Sequence, residues 1–349
     1  MKLAAIGASK LTGEDRMGEI RIGISGWRYE PWRGVFYPGD LPQRRELEYA
    51  SRALPTIEIN GSFYCLQRPE FYAEWYDETP DGFVFSVKGG RYITHIRRLR
   101  DIAVPLANFF ASGILNLREK LGPFLWQFPP NLGWDPERFS AFFELLPRDT
   151  ASALALARRR DARMHGRSRL AIDRNRKLRH AVEIRHESFC NEDFIALLRK
   201  HSVALVVADT AGKWPHVEDV TSDFVYVRLH GEEELYASGY TEEALDRWAA
   251  RIRAWSNGGE VPDARLISRR QCRPRLSRDV YCYFDNDIKV KAPFDAQRLM
   301  AKLGLRDTPP TTMHGDEPRV VSPLRPWPAP RKRALPTAAK LPVAARRTG

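Results

Sequence analysis

Apolar residues alternate with charged or amide residues in several short stretches of this chain. Ile57-Glu58-Ile59-Asn60, Val182-Glu183-Ile184-Arg185 and Val225-Tyr226-Val227-Arg228-Leu229-His230 are the clearest. A period of two marks a strand whose faces meet different surroundings. The apolar side packs under a helix, and the polar side turns into a shared interior. Five more strands complete a set of eight, predicted at 21–25, 56–60, 83–88, 124–128, 181–185, 204–209, 225–230 and 280–285. Helical periodicity falls between most of them, at 46–54, 70–76, 106–119, 136–146, 192–201, 241–256 and 294–303.

Strand and helix in alternation imply a parallel sheet with helical cover. Eight units within residues 20–303 suit a single (β/α)8 TIM barrel, the α/β fold predicted here. An open doubly wound sheet is the alternative. Its usual dinucleotide fingerprint is missing, because Gly23-Ile24-Ser25-Gly26-Trp27 lacks the third glycine and Trp27 would crowd a pyrophosphate. Residues 1–18 read as a flexible leader. Residues 305–349 are proline-rich, and from Pro318 they carry no acidic residue, so a disordered basic tail is expected there.

Charge changes this picture little. The chain carries +12, but residues 158–179 and residues 318–349 each carry +8, so the rest is net acidic. The basic balance belongs to one segment and the tail, and it is poor evidence that the barrel itself is a nucleic-acid surface. The segment 158–179 precedes the fifth strand and would lie on the barrel's N-terminal side as a solvated helix and loop. Cys65, Cys190, Cys272 and Cys282 are too far apart for a zinc knuckle or a CxxC pair. No apolar run is long enough for a membrane span, and the N-terminus is a weak secretory signal. A cytoplasmic protein with no membrane partner is expected; the oligomeric state is left open.

Parity along each barrel strand selects the inward residues. Gly23 and Ser25, Glu58 and Asn60, Lys88, Glu183 and Arg185, and Tyr226, Arg228 and His230 fall inward. Tyr281, Tyr283 and Asp285 form one set on the last strand, while Gln127 and Asp209 sit at strand ends. Barrel sites lie at the C-terminal mouth, where these polar residues gather. Lys88, Arg185 and Arg228 suit an anion. Glu58, Glu183 and Asp209 could move protons, with His230 as a proton shuttle or as a donor that orients a carboxylate. A satisfied interior network, such as Glu58–Arg185 or Glu183–Arg228, is the competing account of the same residues. No cofactor is expected. A divalent metal held by Glu183, Asp209 and His230 is weakly signalled, since Arg185 and Arg228 would repel it. After strand one, Trp32, Phe36 and Tyr37 read as a small core over the barrel, and Trp27 and Tyr29 as ligand contacts. Tyr64 and His95 read as adjoining wall.

The runs Gly23-Ile24-Ser25-Gly26-Trp27-Arg28-Tyr29, Trp32-Arg33-Gly34-Val35-Phe36-Tyr37-Pro38 and Glu58-Ile59-Asn60-Gly61-Ser62-Phe63-Tyr64 resemble the opening blocks of the DUF72 (YecE-like) family. Lys88 with Thr94-His95, Leu121-Gly122-Pro123 with Gln127-Phe128-Pro129-Pro130, and Glu183-Ile184-Arg185-His186-Glu187-Ser188-Phe189 continue the likeness. Arg228-Leu229-His230-Gly231 and Tyr283-Phe284-Asp285-Asn286 complete it. Asp285 departs from an Asn-Asn pair and adds negative charge. The resemblance implies a TIM barrel and no settled reaction.

The expected function is an enzyme, whether lyase, isomerase or hydrolase, acting on a small anionic substrate such as a phosphorylated sugar or nucleotide fragment. Glu58, Glu183, His230 and Asp209 are the candidate catalytic groups. Trp27, Tyr29, Asn60, Tyr64, Lys88, His95, Gln127, Arg185, Arg228, Asp285 and Asn286 are the candidate binding groups. A nucleic-acid binding or processing protein, with metal-dependent phosphodiester hydrolysis as one form, and a non-catalytic ligand sensor are the alternatives.

Overall fold

The structure, a computed structural model, describes residues 17–270, 272 and 274–306. The predicted leader up to residue 16 and the predicted tail from residue 307 lie outside the described residues. Eight strands form one closed parallel barrel: β1 Ile20–Ser25, β2 Thr56–Ile59, β3 Val84–Lys88, β4 Leu121–Gln127, β5 His180–Glu183, β6 Ala204–Asp209, β7 Phe224–Leu229 and β8 Asp279–Phe284. Each strand pairs with its sequence neighbour, and β8 returns to β1. This is the expected (β/α)8 barrel, and the open-sheet alternative falls away.

The helices run α1 Glu46–Ala53, α2 Gly61–Tyr64, α3 Pro69–Glu78, α4 Ala103–Ala111, α5 Pro136–Leu145, α6 Thr150–Ala157, α7 Glu192–Lys200, α8 Glu242–Ser256 and α9 Ala292–Lys302. The single helix predicted over 106–119 is interrupted. α4 stops at Ala111, Gly113 takes φ +100, and a 3-10 segment follows. Left-handed backbone is costly for any residue with a Cβ, and a Cβ on Gly113 would also lie 2.4 Å from Cα of Pro69. The periodicity carried across the break because both pieces bury apolar side chains. The short helices α2 and α6 went unpredicted. α6 is nucleated by a reciprocal cap between Asp149 and Ser152. No α-helix links β6 to β7.

Parity builds a core with two shells. Outward Ile22, Ile24, Ile57, Ile59, Val182, Val207, Val227 and Phe284 pack beneath the helices. Inward Val84, Leu125, Ala181, Val206, Phe224, Tyr226, Tyr281 and Tyr283 form a separate cluster inside the barrel. Each fully buried side chain of this size stabilises the fold by roughly 1.5–3 kcal/mol. The interior also fits by size: Ala204, Val206 and Ala208 on β6 leave room for the tyrosines of β7 and β8. Gly23 serves the same end, for a Cβ there would stand 2.0 Å from the carbonyl oxygen of Thr56.

Trp32, Phe36 and Tyr37 pack with Tyr49 and Phe294 as the predicted small core. The basic segment lies where strand order places it, at the strand starts. Arg179 bonds Asp279 at the head of β8, and Lys177 pairs with Asp223 ahead of β7. Among the described residues no helix is long and apolar enough to cross a membrane.

Trp126 is fully buried on the outer face of β4, and its indole N–H donates to Nδ1 of His180 at 3.1 Å. Replacing it by alanine leaves a large cavity and takes the partner from His180 Nδ1, while His180 Nε2 keeps the Pro147 carbonyl at 2.7 Å. Trp126→Ala is expected to lower unfolding free energy by about 3–5 kcal/mol, read from a urea titration.

Candidate active site

Arg228, on β7, points into the barrel and is fully buried. Its Nε donates to Glu58 Oε2 at 3.1 Å and its Nη1 to Glu183 Oε2 at 2.7 Å. Nη2 donates to Glu58 Oε1 at 2.9 Å, Asp285 Oδ2 at 2.8 Å and Ser25 Oγ at 3.2 Å. One guanidinium thus ties β1, β2, β5, β7 and the end of β8 together. All its donor nitrogens are engaged, which corrects its expected role as an anion ligand.

Glu58 is equally occupied. Besides Arg228 it accepts from Ser25 Oγ at 2.6 Å and from the Tyr226 hydroxyl at 2.6 Å. Four donors fill the four lone-pair directions of a carboxylate, so Glu58 has no free one with which to take a proton. Below it lies a layer of hydroxyls. Tyr226 gives its one proton to Glu58, so Ser86 Oγ, 2.8 Å away, donates to Tyr226. Thr56 Oγ1 and Tyr283 meet at 2.8 Å in the same layer. The interior-network account therefore holds for Glu58, Arg228 and Glu183, with Glu58 paired to Arg228 rather than to Arg185.

Glu183 also accepts from Arg185 Nε at 2.9 Å. Burial works against its charge, but Arg228 and then Arg185 outweigh burial and hold its carboxyl far below the usual range. Asp285 behaves alike, with Arg228 and His230 overcoming burial. His230 Nδ1 lies 3.0 Å from Asp285 Oδ2 but is poorly aligned for a hydrogen bond. Asn60 opens α2 and donates to Ser25 Oγ at 2.8 Å, closing the cluster on the β1–β2 side.

The β3–β5 side of the mouth is different. Lys88 is only 9% exposed, yet its amine tip reaches solvent and has no hydrogen bond or ion pair among the described residues. It sits 4.7 Å over the Phe63 ring. Burial, and next Arg228, lower it from the ordinary lysine range to about 8. His95 packs edge-on against the same Phe63 ring at 5.1 Å and joins Nδ1 to Thr94 Oγ1 at 2.8 Å. Burial, then Lys88 and Arg185, push its imidazole down to about 4, so it is neutral at pH 7. Gln127 faces inward on β4 with its amide unbonded at the mouth. Arg185 lies flat over Trp214 at 3.7 Å, donates to the Tyr236 hydroxyl at 3.2 Å and keeps Nη1 free among the described residues.

Three predicted site residues, Asp209, Asn286 and Trp27, stand elsewhere. Asp209 shares parity with Leu205 and Val207 and faces out of the barrel. It lines a side cleft of about 450 Å³ with His216, Trp248 and Arg251, where burial raises its carboxyl. Asn286 points away from the mouth and ties β8 to α9 through Ser238 O and Asp295 Oδ2, both at 2.9 Å. Trp27 packs against Trp75 and Phe85 beneath the helices. Tyr64 is 74% exposed on α2, its ring edge-on to that of Phe63 at 5.1 Å. Tyr29 does reach the site, donating to the Ser25 carbonyl beside the Asp287 carboxyl. Asp287, Trp214, Tyr236 and Phe63 were not predicted. Burial, then Asp285, lift Asp287 to about 6. All four lie beyond strand ends, where alternation gives no signal.

Glu183, Asp209 and His230 do not converge as a metal set, because Asp209 faces outward. No group of three or more His, Cys, Asp or Glu residues is placed to hold a metal among the described residues. A rim groove of about 530 Å³ lies beyond β3 and β4, lined by Arg97, Arg98, Arg100 and Arg138 with Asp101.

Residues 21–319 match the model of the family described as "Protein of unknown function DUF72". The chain is 29% identical over 116 residues to the UPF0759 protein YunF of Bacillus subtilis, covering 32% of this chain and 40% of that one. It is 27% identical over 127 residues to the UPF0759 protein YecE of Escherichia coli, covering 36% and 43%. The matched stretches therefore span less than half the length of those relatives. A DUF72 family protein from Thermotoga maritima superposes with a TM-score of 0.62 at 24% identity, over 82% of this chain and 99% of that one. One from Enterococcus faecalis gives 0.59 at 17% identity, over 85% and 100%. Both share the barrel fold.

Removing Arg228 would strand three carboxylates. Arg228→Met is expected to cost about 3–5 kcal/mol at pH 7. In the parent, Glu183 and Asp285 have folded pKa values below their unfolded values near 4, so their contribution is complete above about pH 5 and is lost as pH falls. In Arg228→Met, the buried carboxylates titrate above their unfolded values, so stability rises as pH drops from 7 toward 5. Urea unfolding across pH 3–7 reads both slopes.

Proposed function

The chain belongs to the DUF72 family, and we propose that it is an enzyme acting on a small anionic substrate by acid–base chemistry at the C-terminal mouth of its barrel. One observation carries this reading. The mouth divides into a saturated ionic floor around Arg228 and an open wall of unspent donors: Lys88, Gln127 and Arg185, with neutral His95 beside them. A buried ammonium without an acid partner is costly unless something else supplies the negative charge. A phosphate or carboxylate between Lys88 and Arg185 would supply it. The floor offers a fixed field, since Glu183 and Asp285 stay ionised. Lys88, lowered to about 8, and Asp287, raised to about 6, are suited to exchange protons near neutral pH. This replaces Glu58 and Asp209 as proton carriers and leaves Glu183 as an electrostatic partner.

A titration of the full chain with small carboxylates and phosphomonoesters at low salt tests this. Binding is expected for at least one compound, weakened about tenfold or more by Lys88→Met and by Arg185→Ala. A panel without a binder, or binding indifferent to both substitutions, refutes the small-anion site.

The arginine-lined rim groove supports a second reading, a nucleic-acid strand whose phosphates run past the mouth. Oligonucleotide binding would then fall steeply between 50 and 200 mM salt, roughly a thousandfold for six or more phosphate contacts, and drop in an Arg98→Ala, Arg100→Ala double variant. Binding with a flat salt response would rule it out.

A further inference from the structure

The amine of Lys88 stands apart from every other charged group inside the barrel. Arg228, Arg185, Glu58, Glu183 and Asp285 each pair with an opposite charge, whereas Lys88 has no ion pair among the described residues and lies over the face of Phe63. Its tip only just reaches solvent at the mouth. His95 shares that ring, and its Nδ1 is occupied by Thr94, which leaves Nε2 without a partner among the described residues. Gln127, on the neighbouring strand, offers a free amide. Arg185 presents an unused N–H from β5, steadied by Trp214 and Tyr236. A nucleophile, a neutral base and donors for an anionic group therefore line one sector.

We infer that Lys88 is a nucleophile that forms an imine with a small carbonyl compound bearing a carboxylate or phosphate, and so that the substrate class of the proposed site is an anionic aldehyde or ketone. The inference rests on the proposed small-anion site and narrows it. The neutral amine attacks the carbonyl carbon, forming the C–N bond while the C=O π pair moves to oxygen. The oxygen takes up a proton and nitrogen gives one up. His95 Nε2 is placed to carry that proton between them. Loss of water, helped by a second proton on oxygen, leaves a protonated imine. One ammonium and one carbonyl have become one iminium and one water, so the positive charge under the mouth is unchanged and Glu183 and Asp285 keep their balance. Arg185 holds the anionic end. Titration near 8 serves this step, since about a tenth of such an amine is neutral at pH 7, against well under a hundredth of an ordinary lysine near 10.4.

Reductive trapping tests it. The full chain is incubated at pH 7 with glyoxylate, and separately with pyruvate, in the presence of sodium cyanoborohydride, and modified lysines are located by peptide mapping. The expected result is a carboxymethyl or carboxyethyl group on Lys88, appearing about tenfold or more faster than on any surface lysine. Lys88→Arg should lose this fast modification while retaining binding to whatever anion the titration identifies. Modification spread over surface lysines with Lys88 unmarked overturns the imine, and the parent map alone decides this even if the variant fails to fold. If Lys88 is unmarked but the anion still binds in a Lys88-dependent way, the imine falls and the small-anion site stands. If neither is seen, both fall.

Discussion

Everything at the mouth depends on one buried guanidinium. Taking Arg228, Glu58, Glu183 and Asp285 out of water costs several kcal/mol per ion, and only their mutual geometry offsets it. An apolar plug of similar volume would hold the barrel as well or better. The cluster is therefore poorly explained as a stabilising device. Its evident product is a rigid platform of fixed charge, joined to five strands and braced from below by the Tyr226 and Tyr283 hydroxyls.

That rigidity decides which residues are free to act. A carboxylate with four donors is a structural pier, and an arginine with every N–H engaged cannot also hold a ligand. The division of labour follows strand by strand. Strands β1, β2, β7 and β8 and Glu183 of β5 hold the completed network, while β3, β4 and the residues just past β5 bring Lys88, Gln127 and Arg185 to the mouth with valences to spare. Trp214 fits this division. It rises from the helix-free connection between β6 and β7 and braces the aliphatic and cationic parts of Arg185, so that the guanidinium enters the mouth already oriented.

Alternation alone located most of this. The eight strands, their closure and the inward placement of Ser25, Glu58, Lys88, Glu183 and Arg228 follow from a period of two. The same rule shows why Asp209 was misplaced: it ends an odd-numbered outward set with Leu205 and Val207, and position at a strand end was given more weight than parity. Asn286 and Trp27 were misassigned for another reason. Each follows the last paired residue of its strand, where the chain turns and side-chain direction is no longer inherited. Trp214, Tyr236 and Asp287 were invisible for that reason too. What pattern could not supply at all is the distinction between a polar residue with its hydrogen bonds complete and one with them open, because it depends on partners from four other strands.

The filled interior beneath the ion cluster makes the cavity a vessel with one opening. Val84, Leu125, Phe224, Tyr226, Tyr281 and Tyr283 pack together beneath it, between the ion cluster and the N-terminal face. Whatever enters past His95 and Tyr236 must leave the same way, and in reverse order when two molecules are present. A water released at the Lys88 amine would lie deeper than the anionic group that came in with it, trapped behind the remaining product until that product moves. For the proposed reaction, clearance of the doorway would pace turnover, so the mobility of the rim residues, more than the chemistry at its base, would set the speed.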